Sequence, residues 1–590
     1  MVTTILCLTG IVLINLVVQC IAYKQPLHPD SGLFLYRAVL GGYGETFTPG
    51  RRNGKGYSDF SGDYSKYQIK FIIYVFMDCL YTLFSPNPKI FRFFFAIYNS
   101  FSVIAVFWLG QMIFGELQGM IGALIYTLLC ANPFSDSQQI HAEHYAVFPL
   151  VLTIISLIYG VTLHSFIILV LSGIIMSATV FLFKITFILE VAVLLIAGFL
   201  AEDTSAFLGL LVGFGGFFFL LYAWCYVNDA LPSLLSQINI FRLIKILFHY
   251  RNNFKSDFEK NGGLKHFDFI KAWNFSSGSL PFFVFCGITA LFSSSEQPLS
   301  FVLILAVMAA SIMGIFIQGK FFQSHLLPIY PLAAVITGEG VVWLMNSSIW
   351  FIKILPLLLF AYWCAVIFLV YYKNGPLGYH LQKCQIGGYP ALSYLASETM
   401  ADYIKRHSSR GERILQWGYH HELYVLAQRR GTLGPRLESS LQTDTVLSDG
   451  LFGHVWRGWL IDAVTTQSPL YIADLEGSLN IDFLNKATGL TYRCEKLFYN
   501  MYPMYRLIDA SPNEPVPIEL NELTAPSGTT ERDGRQISNR EHIEEINKIF
   551  NQSGTSITDV FTKGGVSELL EDWCALNKTT MKQNKVTSQI

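Results

Sequence analysis

The sequence predicts an α-helical membrane protein with about eleven spans, followed by a small C-terminal α/β domain. Hydrophobic residues make up 52% of the 590 residues and charged residues only 14%, whereas soluble domains contain about 25% charged residues. The apolar residues form long runs before about residue 375, and beyond it charged residues return at ordinary density. Because a spanning helix needs about 20 predominantly apolar residues, the first part of the chain is the predicted membrane part.

The predicted spans follow one another closely. Residues 3–22 form the first apolar run, which lacks a basic n-region and a clear small-residue cleavage site, so we expect an uncleaved helix. The other predicted spans lie at 90–113, 117–132, 145–162, 165–182, 185–200, 206–228, 279–294, 299–317, 325–345 and 350–372. Several of them are shorter than about 20 residues, which is typical of tilted or broken helices.

The apolar stretch 66–84 decides the topology. It carries Lys66, Lys70 and Asp78, so it could either lie flat in the membrane interface or span the membrane. We expect a helix that lies in the interface, within a first extracytoplasmic loop at residues 23–89. Eleven spans then remain, and the loops rich in polar residues share one face with the C-terminal region, as a single active site requires. The loops of the opposite face contain no Lys or Arg, so the positive-inside rule does not support calling that face cytoplasmic.

Two further regions are predicted after the transmembrane domain of residues 1–373. Residues 375–510 predict a small extracytoplasmic α/β domain, because stretches of helical and strand character alternate there. Its predicted elements are helices at 389–411 and 421–430 and strands at 414–419, 469–474 and 504–508. Residues 511–590 begin with a segment rich in Pro, Ser, Thr and Glu, which predicts a polar linker that leads into a helical tail.

Asp30 is the first residue that suits catalytic chemistry. It follows the first span in the stretch His-Pro-Asp-Ser-Gly-Leu-Phe-Leu-Tyr-Arg. Apolar surroundings raise the pKa of a carboxyl group, which suits a general base. The alternatives are an acid at the membrane interface and a helix cap for the turn of residues 31–40.

The loop after Asp30 combines acids, bases and glycines. Arg51, Arg52 and Lys66 lie in it together with Asp63. Arginine and lysine make charge-assisted hydrogen bonds to phosphate, so this composition suits a loop that meets a phosphate group. Attraction of the same basic residues to anionic lipid headgroups explains each of them equally well.

Glu143 is the second candidate acid. It lies between His141 and His144 at the start of a predicted span. The two histidines are not four residues apart, as metal ligands on one helical face are, so no metal site is predicted. We expect Glu143 to be a second catalytic or substrate-orienting acid. The alternative is an acid that is favoured at a helix N-terminus by the helix dipole.

Further basic residues lie next to predicted spans. Lys184 interrupts an apolar run, and an unpaired lysine in hydrocarbon costs about 2.5–3.5 kcal/mol, so it should face a cavity or a partner, or extend to the interface. Lys320 and His325 precede Pro328 and Pro331. The two prolines predict a bent helix with free backbone carbonyls, which membrane proteins tolerate where a cavity is lined.

The order of these features resembles the GT-C glycosyltransferases, the superfamily of dolichyl-phosphate-mannose protein mannosyltransferases and bacterial aminoarabinose transferases. The stretch 414–430 is also similar to one in the C-terminal domains of bacterial members. The resemblance covers about residues 1–510. The residues that support it are Asp30, Asp63, Lys66, Glu143, Lys184, Lys320 and His325.

The resemblance implies a polyprenyl-phosphate sugar donor and transfer by a single displacement with inversion. Asp30 would take the proton of the acceptor hydroxyl, and Glu143 would orient the acceptor or assist. The donor phosphate would lie among Lys66, Lys184, Lys320 and His325. The secondary candidates are Asp63, Arg51, Arg52, His141 and His144.

The resemblance also implies a hexosyl or pentosyl transferase of the bacterial plasma (inner) membrane that acts in cell-envelope glycosylation. Its partners would be the lipid bilayer, the lipid-linked donor and a glycan, lipid or protein acceptor; a divalent metal ion is left open. The sequence shows no basic face that predicts nucleic-acid binding. The alternatives are a membrane transporter, for which no paired repeats are visible in the sequence, and a non-catalytic membrane scaffold.

Overall fold

The computed structural model describes the chain in ranges separated by gaps. These ranges are 2–21, 31–32, 35–36, 83, 88–131, 142–183, 185–201, 204–227, 280–290, 298–318, 323–374, 385–386, 389–418, 420–432, 460–461, 463–476 and 479–509. The described residues fall into two compact units. The membrane unit holds those up to Asp402 together with His421–Gln428, and the C-terminal unit holds Tyr403–His420 and those from Arg429 onward.

The helices of the membrane unit coincide with the predicted spans. In the described ranges they are α1 (Val2–Ile21), α2 (Pro88–Ile113), α3 (Glu116–Ala131), α4 (Ala142–Thr162), α5 (Phe166–Ala178), α6 (Ile188–Leu200), α7 (Thr204–Val227), α8 (Leu280–Ala290), α9 (Pro298–Gln318), α10 (Ile329–Met345) and α11 (Trp350–Asn374). Six helices among the described residues are long and apolar enough to cross a membrane. The chain is therefore a multi-pass membrane protein. The stretch 66–84, apart from residue 83, lies outside the described residues.

Glycines allow close helix packing in the membrane unit. Helix α5 packs along α7. A Cβ atom added at Gly213 would lie 2.0 Å from the Val170 carbonyl oxygen, and one added at Gly173 would lie 2.3 Å from the Leu210 carbonyl oxygen. Small residues let helix backbones approach each other closely in membranes. These two glycines therefore set the distance between α5 and α7.

Helix α10 forms the centre of the membrane unit. It packs against α3 and α8 and is buried along almost its whole length. A Cβ atom added at Gly338 would lie 2.6 Å from the Gln118 carbonyl oxygen, and one added at Gly340 would lie 1.9 Å from the Cys286 carbonyl oxygen. Helices α1 and α7, by contrast, expose many apolar side chains, which suits contact with lipid.

The prolines before α10 do not bend it. Pro328 is the N-cap of α10 and Pro331 lies in its first turn, where a backbone N–H has no partner within the helix. A 3₁₀ turn, Gln323–Leu326, precedes them. The prediction of a bent span over 325–345 is therefore wrong, because the helix begins only at Ile329.

Short elements follow α11 along the chain. Strands β1 (Gln385–Ile386) and β2 (Tyr389–Pro390) form an antiparallel pair, and α12 (Ala391–His407) comes next. Further along, α13 (Glu422–Ala427) belongs to the membrane unit. It is shorter than the predicted helix because Gln428 adopts a left-handed conformation, with φ of 55°, that ends it.

The C-terminal unit contains a five-stranded mixed sheet. Its strands are β3 (Arg413–Trp417), β4 (Arg430–Gly431), β5 (Tyr471–Asp474), β6 (Thr491–Phe498) and β7 (Tyr502–Asp509), in the order β4-β3-β5-β7-β6. Strand β3 runs parallel to β4 and β5, whereas β7 runs antiparallel to β5 and β6. The strands predicted at 414–419, 469–474 and 504–508 are confirmed as β3, β5 and β7.

One helix of this unit, α14 (Ile481–Thr488), packs against the sheet. The Asn480 side chain accepts a hydrogen bond from the Phe483 N–H at 3.1 Å and so caps its first turn. Leu484 joins a buried cluster with Trp417 and Ile472 from the central strands. This cluster is the core of the C-terminal unit.

Candidate functional site

A pocket in the membrane unit is lined by several buried ionisable side chains. The lining residues are Glu143, Thr186, Phe187, Glu190, Ser311, Gly314, Ile315, His325 and Pro328. Ionisable side chains within apolar helices are costly to bury and commonly mark substrate or ion sites. The pocket is therefore a candidate functional site.

Glu143 and His325 form the first polar pair of this pocket. The His325 Nε2 lies 3.5 Å from the Glu143 Oε1, and the two side chains are only 9% and 11% exposed, respectively. Glu143 lies in the first turn of α4, where the helix dipole favours an acid. His325 lies in the 3₁₀ turn before α10. The structure thus brings together two residues that were predicted from separate parts of the sequence.

Glu190 and Ser311 form a second polar pair in the same pocket. The Ser311 hydroxyl donates a hydrogen bond to the Glu190 Oε1 at 2.8 Å, and both side chains are buried. Glu190 lies in the first turn of α6, and Ser311 lies in α9. Neither Glu190 nor Ser311 was predicted from the sequence. Glu190 could have been found from the sequence, because it is a single acid within an otherwise apolar predicted span.

The chain between α5 and α6 leaves the α-helical conformation. A π-helical turn, Thr179–Phe183, follows α5, and a 3₁₀ turn, Ile185–Phe187, precedes α6. π-helical turns are rare and frequently occur at functional sites. Thr186 of the 3₁₀ turn and Glu190 just after it both line the pocket. This irregular segment therefore forms one wall of the candidate site.

His144 lies in a buried hydrogen-bond network that joins α1, α2, α3 and α4. Its Nε2 is 2.9 Å from the Asn99 Oδ1, which also accepts a hydrogen bond from the Tyr126 hydroxyl at 3.3 Å. The Asn99 Nδ2 donates to the Asn15 Oδ1 at 3.0 Å. Because His144 is the neighbour of Glu143, this network holds the end of α4 that faces the pocket.

Comparison with solved structures identifies the fold. The apo structure of ArnT from Cupriavidus metallidurans matches with a TM-score of 0.52 at 11% sequence identity, over 86% of this chain and 99% of that chain. The chain has a GT-C-like fold. The structure of ArnT from the same organism bound to undecaprenyl phosphate matches with a TM-score of 0.49 at 12% sequence identity, over 86% of this chain and 99% of that chain. The Archaeoglobus fulgidus oligosaccharyltransferase in complex with Zn and sulfate matches with a TM-score of 0.47 at 12% sequence identity, over 82% of this chain and 72% of that chain. No protein-family model and no curated protein matches the sequence.

Most of the other predicted site residues of this GT-C-like chain lie outside the described residues. Within the described ranges, no group of three or more His, Cys, Asp or Glu side chains is arranged to hold a metal ion. The roles predicted for the residues outside those ranges stay predictions. These residues are Asp30, Arg51, Arg52, Asp63, Lys66, His141, Lys184 and Lys320.

The two residues directly after Asp30 are described and buried in the membrane unit. A Cβ atom added at Gly32 would lie 2.5 Å from the Glu422 backbone nitrogen, so the start of α13 contacts this turn. The rings of Tyr36 and Tyr424 stack with their centroids 4.7 Å apart. Helix α13 therefore packs against the chain next to the candidate base.

Proposed function

We propose that the protein is an integral-membrane glycosyltransferase that moves a hexosyl or pentosyl group from a polyprenyl-phosphate donor to an acceptor hydroxyl. The observation that supports this most directly is the buried Glu143 and His325 pair in a polar pocket of an otherwise apolar helical unit. The GT-C-like fold adds support, because ArnT, which has this fold, has been crystallised with undecaprenyl phosphate.

The proposed reaction is a single displacement with inversion. Asp30 takes the proton of the acceptor hydroxyl while the acceptor oxygen attacks the anomeric carbon of the sugar. The bond from that carbon to the phosphate oxygen breaks, and polyprenyl phosphate leaves with the electron pair. Lys66, Lys184 and Lys320 are proposed to stabilise the phosphate as its negative charge increases.

Glu143 and His325 are proposed to act together beside the reacting groups. A carboxylate accepts hydrogen bonds, so Glu143 orients the acceptor hydroxyl toward the anomeric carbon. A protonated His325 is stabilised by Glu143 and adds positive charge for the donor phosphate. The contact between the two residues thus connects Glu143, which is assigned to the acceptor, with His325, which is assigned to the donor phosphate.

The proposed reaction takes place where the lipid and a polar acceptor meet. We propose that this is the extracytoplasmic face of the bacterial inner membrane, with the C-terminal unit on the same side. The acceptor is a glycan, a lipid or a protein of the cell envelope. Contact of α13 with the chain after Asp30 supports a role of this short helix in holding the catalytic loop.

The proposal is tested by transfer of a radiolabelled sugar from a set of polyprenyl-phosphate donors to membrane acceptors. We expect the purified protein to transfer label and the Asp30→Asn variant to lose transfer, because asparagine cannot take the acceptor proton. Asp402→Asn, at an exposed position of α12, is the matched control and should transfer normally. Full activity of a folded Asp30→Asn variant would refute the assignment of the base.

A further inference from the structure

The hairpin formed by β6 and β7 carries exposed apolar side chains at its tip, residues 497–501. Leu497, Tyr499 and Met501 are 49%, 43% and 56% exposed. We propose that this hairpin tip binds the surface of an anionic phospholipid bilayer, with its apolar side chains among the headgroups. The proposal goes beyond the glycosyltransferase assignment and does not depend on it.

The geometry of the turn gives no reason for the apolar side chains at the tip. Tyr499 and Asn500 have φ of 50° and 56°, and the Met501 N–H donates to the Phe498 carbonyl oxygen at 3.1 Å. Two consecutive residues with positive φ are typical of a type I′ hairpin turn, in which asparagine and glycine are preferred. Asn500 fits this preference. A tyrosine with positive φ is uncommon, so the turn itself does not favour Tyr499.

The strands next to the tip carry an excess of positive charge. Arg493 and Arg506 are direct partners across β6 and β7, and both are exposed. Like charges that lie opposite each other destabilise a sheet. Glu495 lies 3.6 Å from Arg506 and also accepts a hydrogen bond from the Tyr403 hydroxyl. It offsets only one positive charge, and anionic headgroups would offset the rest.

Lys496 places a further positive charge directly beside the tip. Its Nζ lies 5.0 Å from the centroid of the Phe498 ring and 5.1 Å from that of the Tyr403 ring. These cation–π contacts hold the ammonium group next to Leu497. Lysine at a membrane surface keeps its charged end among the headgroups while its stem covers apolar surface. An apolar tip with basic residues at its base is thus complementary to an anionic bilayer.

The small size of the tip favours a bilayer over a protein partner. A stable protein–protein interface buries about 1,200–2,000 Å², which three side chains cannot supply. A bilayer, by contrast, already holds the membrane unit of the same chain. Binding of the hairpin to that bilayer is therefore an intramolecular event at high effective concentration, for which a weak contact is sufficient.

The proposal is tested by photocrosslinking of the full-length protein in nanodiscs. Met501 is replaced by p-benzoylphenylalanine, the discs contain either phosphatidylglycerol or phosphatidylcholine, and mass spectrometry measures the lipid adducts after irradiation. Position 497 repeats the measurement at a second tip residue. The exposed Ser409 is the control position, because it precedes β3, whose start lies at the end of the sheet away from the tip.

We expect at least 10-fold more lipid adducts at position 501 than at position 409 in phosphatidylglycerol. The yield at position 501 should be at least 5-fold higher in phosphatidylglycerol than in phosphatidylcholine, since one basic residue near an anionic surface contributes about this factor. Lys496→Gln should lower that ratio. Thermal unfolding of each variant in detergent checks that it is folded.

Three results would overturn the proposal. These are equal lipid yields at positions 501 and 409, equal yields in the two lipids, and adducts of the tip with protein in place of lipid. Adducts with protein would identify a second copy of the chain, or another segment of the same chain, as the occupant. Because no sugar transfer is measured, each result leaves the glycosyltransferase assignment to its own test.

Discussion

At the scale of single residues, the pocket joins side chains that are far apart in the sequence. Glu143 in α4 and His325 in the turn before α10 are separated by about half of the membrane unit in sequence, yet their side chains lie 3.5 Å apart. Glu190 and Ser311 repeat this arrangement with a direct hydrogen bond. Ionisable side chains that are buried in an apolar helical unit commonly mark substrate or ion sites, which makes this pocket the candidate site.

The role of Glu143 gives a sharp prediction for one substitution. Glu143→Gln should lower the rate of sugar transfer by about 10- to 100-fold, since a hydrogen bond to a charged group contributes about 1.5–3 kcal/mol. The change is measured as kcat/KM for the acceptor. Glu116→Gln is the control, because Glu116 also lies in the first turn of a helix but is exposed. Equal activity of the two variants would exclude Glu143 from the reaction.

The buried network around Asn99 predicts a loss of stability without a direct effect on chemistry. Asn99→Ala removes hydrogen bonds to Asn15, Tyr126 and His144 and should lower the free energy of unfolding by about 1–3 kcal/mol. Thermal unfolding in detergent measures the change. The exposed Asn346→Ala is the control. An unchanged midpoint for Asn99→Ala would contradict the role of the network.

Most of the polar residues of the two pairs could be predicted from local sequence. Glu143 and His325 lie next to predicted spans, where an ionisable residue is conspicuous. Glu190 was also detectable as an acid in an apolar run. Ser311 was not, because a serine in a membrane helix usually bonds to its own backbone, and only the packing of α9 against α6 shows its partner.

At the scale of secondary-structure elements, hydropathy predicted the membrane helices well. Each predicted span corresponds to a described helix because a long apolar run has few alternatives in a bilayer. Strand β6 was missed, since its sequence Thr-Tyr-Arg-Cys-Glu-Lys-Leu-Phe mixes charged and apolar residues without strict alternation. The bend predicted from the prolines before α10 was wrong, because the effect of a proline depends on where the helix begins.

The glycine contacts between α5 and α7 predict that alanine lowers stability at Gly213 but not at Gly215. Gly213→Ala places a Cβ atom 2.0 Å from the Val170 carbonyl oxygen and should destabilise the protein by about 1–3 kcal/mol through overpacking. Gly215→Ala, where nothing lies within 4 Å, should leave stability unchanged. Thermal unfolding of both variants in detergent checks this. Equal midpoints would show that the two helices can separate at no cost.

At the scale of the whole molecule, the proposed topology is tested by a cysteine in the C-terminal unit. Cys494 lies in β6 and is free and exposed. A membrane-impermeant maleimide added to intact spheroplasts should label the wild type more strongly than Cys494→Ser. Comparison with permeabilised spheroplasts is the control. Labelling of Cys494 only after permeabilisation would place the C-terminal unit in the cytoplasm and contradict the proposal.

At the same scale, the proposed function makes one chemical claim, that the protein breaks the bond between a sugar and a polyprenyl phosphate. The most direct measurement follows a radiolabelled sugar in liposomes that contain the purified protein, the lipid-linked donor and an acceptor. We predict that the label becomes covalently attached to the acceptor and that an equal amount of polyprenyl phosphate is released. Label that stays on its lipid and only crosses the bilayer would contradict this account and indicate a transporter.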